Sequence, residues 1–74
     1  MVMPEPSHTV DVRVLLTVGD QAEIVADAHD AGDPERYPAA EIARALDVEP
    51  RDLPGMRLTA DVGRDHRLTN WRRR

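Results

Sequence analysis

Two stretches of strict alternation constrain this chain more than any other feature. Val10, Val12, Val14, Leu16 and Val18 alternate with Asp11, Arg13, Leu15 and Thr17, and Met56, Leu58, Ala60 and Val62 alternate with Arg57, Thr59 and Asp61. Successive side chains of a strand point to opposite faces, so each run gathers its apolar residues on one face. The pattern calls for a sheet with one wet face and one face that needs a cover. Asp11, Arg13, Leu15, Thr17, Arg57, Thr59 and Asp61 are assigned to the wet face.

The residues between the runs are expected to supply the cover. Gly19 ends the first strand. Asp20 with Glu23 three positions later has the form of a capping box. It predicts a helix over residues 21–31, with an apolar stripe of Ile24, Val25, Ala28 and Ala31 and Gly32 as its left-handed stop. Asp33-Pro34 suggests one short helical turn. Pro38 restarts the count, and a second helix is predicted over 39–48, with Ala39, Ile42, Ala45 and Leu46 facing inward. A 3₁₀ turn at Pro50 and a tight turn at Pro54-Gly55 lead into the second strand, 56–62. Gly63-Arg64-Asp65 reads as a hairpin loop before a third strand over 66–71, with the terminal arginines frayed. The expected fold class is therefore α+β: a two-layer β-α-α-β-β domain, a three-stranded antiparallel sheet covered on one face by two helices. Residues 1–8 are expected to form a flexible lead, 9–71 a single domain and 72–74 a basic end.

Composition limits what such a domain can do alone. The chain has 74 residues, no cysteine, no phenylalanine, one tyrosine and one tryptophan. A core of this size leaves a net stability of roughly 3–5 kcal/mol, and no disulfide adds to it. A partner is the remaining stabiliser, so a homodimer or a complex with another protein is expected. No apolar run approaches the ~20 residues of a spanning helix. The first seven residues, with Glu5 and two prolines, lack a signal-peptide core. No membrane role and a cytoplasmic location are the corresponding expectations. The net charge of −4 is unevenly spread: residues 1–61 carry thirteen acids against five arginines, and residues 62–74 carry five arginines against one aspartate. That asymmetry suits head-to-tail attraction between copies or contact with an anionic partner.

Chemistry-bearing constellations are sparse. Ser7 is the only serine, and the threonines of the strands have no neighbouring base that the sequence identifies. The four glycines each fall at an element boundary, and none builds a phosphate loop. Asp27, His29, Asp30 and Asp33 cluster but match no ligand spacing, and read as a solvated helix end. The chain is accordingly expected to be no enzyme, with no cofactor, no metal and no small-molecule substrate.

The segment Ala39-Ala40-Glu41-Ile42-Ala43-Arg44-Ala45-Leu46-Asp47-Val48-Glu49-Pro50 resembles the first helix and turn of a helix–turn–helix. Strand, helix, helix, strand, strand is also similar in order to winged-helix domains, in which residues 39–48 would be the reader and Arg64, Arg67 and the final arginines would meet phosphate. A ribbon–helix–helix dimer, with Arg13 shown to DNA from a paired first strand, is a further analogy. The resemblance implies a DNA-binding transcriptional regulator, with nucleic acid as partner. Pro54-Gly55 and the acids Glu41, Asp47, Glu49 and Asp52 work against it. The preferred expectation is a small non-catalytic protein acting through protein–protein interaction or self-assembly. Its candidate partner-binding residues are Arg13, Leu15, Arg64, Arg67, Trp71, Arg72, Arg73 and Arg74. Trp71 has a second and favoured reading, as a plug at the end of the sheet.

Overall fold

Gly19 and Asp20 decide the topology. In the computed structural model, which describes residues 8–28 and 32–74, they form a two-residue turn between β1 (His8–Val18) and β2 (Gln21–Ala26). Val18 pairs with Gln21 across it. Gly19 takes φ +59°, a left-handed value that glycine adopts without a steric penalty and that two-residue hairpins require. Residues 21–26 of the segment expected as a first helix are thus a strand, and residues 29–31 of it lie outside the described residues. A helix there would bury a narrow stripe, half of it alanine. The hairpin gives residues 21–26 a ladder partner at once and sends Ala22 and Ile24 into the core.

β3 (Glu35–Pro38) pairs antiparallel with β2, Ala22 opposite Tyr37. The helical turn expected at Asp33-Pro34 is not formed; the chain runs from there into β3. α1 (Ala39–Leu46) follows directly. The Ala39 N–H donates to the Asp20 carbonyl at 2.9 Å, fastening the helix to the β1–β2 turn. Ala39, Ile42, Ala43 and Leu46 are buried. Ala43 therefore takes the inward place expected of Ala45, because the positions i, i+3, i+4 and i+7 share one stripe. The helix stops two residues early, where Asp47 turns left-handed at φ 58° and the Val48 N–H donates to the Ala43 carbonyl. The 3₁₀ turn Pro50–Asp52 forms as expected. Pro54-Gly55 makes the turn before the next strand, closed by the Met56 N–H on the Leu53 carbonyl at 3.0 Å, with Gly55 at φ +86°.

β4 (Arg57–Val62) pairs with β1, and β5 (Leu68–Arg73) pairs with β4, both antiparallel. The sheet order is β3-β2-β1-β4-β5. Among the described residues, five strands and one α-helix replace the expected three strands and two helices. The β4–β5 loop is Arg64-Asp65-His66, one residue later than the sequence suggests. Gly63 and Arg67 pair around it (N–H to carbonyl 2.9 Å), and His66 is left-handed at φ 64°. The terminal arginines do not fray: Arg72 and Arg73 belong to β5, and the Arg74 N–H donates to the Arg57 carbonyl at 3.3 Å.

Two bulges break the alternation. In β1 the register shifts between Val14, opposite Ile24, and Leu16, opposite Glu23, so Leu15 is an extra residue. In β5 it shifts where Ala60 faces both Asn70 and Trp71. Asn70 sits at φ 54°, a value asparagine tolerates better than most residues. That bulge places Leu68 and Trp71, three apart, on the same face.

Twist and bulges curl the sheet until its two edges meet. Tyr37 of β3 and Trp71 of β5 lie edge to face, ring centroids 5.1 Å apart. The Tyr37 hydroxyl accepts the Leu68 N–H at 3.2 Å and donates to Glu35 at 3.1 Å. Burial holds the phenol above its ordinary pKa. α1 packs on β5, β3 and β2. The core it covers includes Val12, Val14, Ala22, Ile24, Tyr37, Ile42, Leu53, Leu58, Ala60 and Trp71.

Candidate interaction site

The outer face of the sheet is charged but largely self-neutralised. Asp61 accepts from Arg72, Asn70 and Thr9, each at 3.0 Å. The Arg72 contact first, then Asn70 and Thr9, hold its carboxyl down at about 2. Asp27 receives the Arg74 guanidinium, with Arg57 at 3.8 Å, and its pKa is lowered chiefly by the Arg74 hydrogen bond. Arg74 also reaches Asp11 at 3.6 Å and the Val12 carbonyl at 3.3 Å. Arg36 pairs with Glu23 at 3.2 Å across β2 and β3.

These pairs set a pH dependence. The folded Asp61 carboxyl ionises more readily than the unfolded one, so the native state binds fewer protons. Its contribution is full above the unfolded value of about 3.9 and is lost as pH falls through about 2. Thermal melts from pH 5 to pH 2 should therefore fall less steeply in Asp61→Asn than in the parent chain. Parallel curves would remove Asp61 from the acid response.

The candidate binding residues do not converge. Trp71 is buried and forms the plug. The Arg67 guanidinium lies 4.1 Å from the Tyr37 ring centroid and donates to the Arg36 carbonyl at 3.3 Å, so it is spent on the seam between β3 and β5. Arg72 and Arg74 are held by Asp61 and Asp27. Among the described residues, Arg13, Arg64 and Arg73 are exposed and form no ion pair within 4 Å. Arg13 lies on the outer face of β1, Arg64 at the loop tip and Arg73 in β5. Leu15, expected to be stranded in water, is the half-buried bulge residue. His29 and Asp30 of the carboxylate–imidazole cluster lie outside the described residues, and Asp27 is engaged by arginine; among the described residues no three ligand-type side chains gather. Among the described residues, the helix pair that the helix–turn–helix and winged-helix analogies require is replaced by α1 and a 3₁₀ turn.

What sequence reasoning missed is the neighbour of Leu15. The bulge reverses the parity of β1, so Leu16 and Val18, expected in the core, turn to the outer face, opposite Glu23 and Gln21. They are 44% and 43% exposed. The signal was present. Gly19-Asp20 is a hairpin dipeptide; once Val18 faces Gln21, the inward Ala22 and Ile24 demand an inward Thr17 and an extra residue after Val14.

Among the described residues, the backbone beside them has no strand partner on the β4 side. Val18 and Gln21 flank a two-residue turn and form a hydrogen-bonded pair, so Thr17 and Ala22 form the non-bonded pair. Thr17 N–H and C=O then point away from β2. β4 does not reach them: the last bonds from that side are the Val14 N–H to the Met56 carbonyl (2.9 Å) and the Gly55 N–H to the Val14 carbonyl (2.8 Å). An open concavity of about 280 Å³, lined by Thr17, Gly19, Asp20, Ala39, Ala40, Pro50 and Arg51, lies alongside. A second, of about 360 Å³, opens at the other end of the curled sheet, lined by Val10, Val12, Ile24, Val62 and Leu68 together with Asp33, Glu35 and His66.

No protein-family model matches the chain, and no curated protein or solved structure matches it either.

Proposed function

We propose that this chain is a non-catalytic interaction module that binds by adding a strand to the open edge of β1 at Leu15–Val18. One observation carries the reading: beyond Val14 the edge loses its β4 partner just where Leu16 and Val18 turn out to solvent. An unpaired strand edge supplies main-chain hydrogen bonds, and alternate side chains supply selectivity. The other edges are guarded. β3 is four residues long, carries Glu35 and Arg36 and ends in Pro38. β5 carries arginines and a bulge, and its Leu68 N–H is occupied by Tyr37. Short length, charge, proline and bulges are the usual guards of an edge. Val14–Gly19 contains no charged residue and no proline.

The test is an NMR titration of isotope-labelled protein with a short peptide of alternating valine and threonine, flanked by lysines for solubility. The expected result is shifts confined to Leu15–Gly19 and slowed exchange of the Thr17 amide. Shifts at β3, β5 or α1 instead, or none, overturn the reading. A parallel titration with duplex DNA tests the regulator alternative, for which shifts would centre on Arg64, Arg73 and α1.

A further inference from the structure

We infer that the strand received at this edge is the same segment of a second copy of the chain, paired antiparallel about a two-fold axis at Thr17. The inference rests on the edge reading above and adds the partner and the register. Only a residue whose N–H and C=O both face outward can sit on such an axis and exchange two hydrogen bonds with itself, and Thr17 is that residue in Leu15–Val18. Once Thr17 faces its copy, the remaining register follows. Leu16 lies opposite Val18 of the second copy, and Val18 opposite Leu16 of the second copy.

The two exposed apolar side chains thus cover each other twice, on the same face, through one symmetric contact. This is the self-complementarity that a two-fold interface requires. The paired segment Val14–Gly19 carries no charge to be set against its own image, and Glu23 opposite Leu16 is paired with Arg36. The bonded edge ends where Gly55 and Met56 occupy Val14, so the added strand spans about Leu15 to Gly19 of each copy. A foreign strand could form the hydrogen bonds. Matching both Leu16 and Val18 with apolar partners at the right offset is something this chain already does for itself. The joined sheet would have ten strands, five from each copy.

A contact this short lies at the small end of interface sizes, below about 1,200 Å². Its dissociation constant is expected on the order of 10–100 µM. Sedimentation velocity from about 1 µM to 1 mM should show the parent chain shifting from monomer to dimer. The variant carrying Leu16→Ser and Val18→Ser, both at exposed positions, should keep its circular dichroism and remain a monomer throughout.

A second variant reads the register. The chain has no cysteine. Thr17→Cys at the axis places two α-carbons about 5.5 Å apart, within disulfide range, and should give a covalent dimer under mild oxidation. Leu16→Cys alone should give far less, because it faces position 18 of the other copy. A parent chain that stays monomeric at 1 mM overturns the second-copy assignment, while the peptide titration still judges the edge itself. A dimer that survives the double serine variant and does not cross-link through position 17 places the contact elsewhere and overturns the assignment as well.

Discussion

Trp71→Ala is expected to unfold the domain at room temperature. The indole is 4% exposed and lies across the gap where the curled sheet meets itself, against Tyr37. Removing a buried tryptophan costs about 3–5 kcal/mol. That equals what a core of this size holds in reserve. No disulfide or phenylalanine cluster stands behind it. Thermal unfolding followed by circular dichroism should lose its cooperative transition. A variant that still melts cooperatively within about 10 °C of the parent has lost no more than roughly 2 kcal/mol, and that result would deny Trp71 its role as plug.

The second large effect is expected at Tyr37, where ring and hydroxyl do separable jobs. Tyr37→Ala removes the ring that meets Trp71 and underlies Arg67, a loss of about 3–5 kcal/mol by analogy with other large aromatic truncations. Tyr37→Phe keeps the ring and removes only the oxygen that accepts the Leu68 N–H. A half-buried amide left without its acceptor costs about 1–3 kcal/mol. Denaturant titration should therefore rank the chains parent, Tyr37→Phe, Tyr37→Ala in falling stability. Amide exchange in Tyr37→Phe should accelerate most at Leu68. Equal stability of the parent and the phenylalanine variant would mean that the hydroxyl does not hold the two edges together.

Parts of this fold are legible in the residues and parts are not, for identifiable reasons. The first part of β1, β4, the helix from Ala39, the 3₁₀ turn at Pro50 and the Pro54-Gly55 turn follow from periodicity and turn chemistry, and the structure contains them. β2 was hidden by an ambiguity. Asp20 and Glu23 have the spacing of a helix cap, while Gly19-Asp20 has the identity of a hairpin turn, and long-range pairing with β1 settled the competition in favour of the hairpin. β3 is too short to show a period. The bulges at Leu15 and Asn70 each insert one residue, and one residue is enough to send everything beyond it to the other face. That is why Leu16 and Val18 read as core and stand in solvent, and why Leu68 and Trp71 share a face at a spacing no regular strand allows. The arginine-rich end reads as a binding patch because charge can be counted in a sequence, whereas Asp61 and Asp27, which neutralise Arg72 and Arg74, become neighbours only after the sheet has formed.

The reversed parity of β1 beyond Leu15 creates the open apolar edge, and thiol labelling measures it directly, since the chain contains no cysteine of its own. In dilute protein, Leu16→Cys and Val18→Cys should react with a maleimide at nearly the rate of an unfolded chain. Val14→Cys and Ala22→Cys, at buried positions, should react at least about tenfold more slowly, since they wait on local opening. Protection of positions 16 and 18 to the same degree as position 14 would mean that the strand runs without a bulge, and the open apolar edge would not exist.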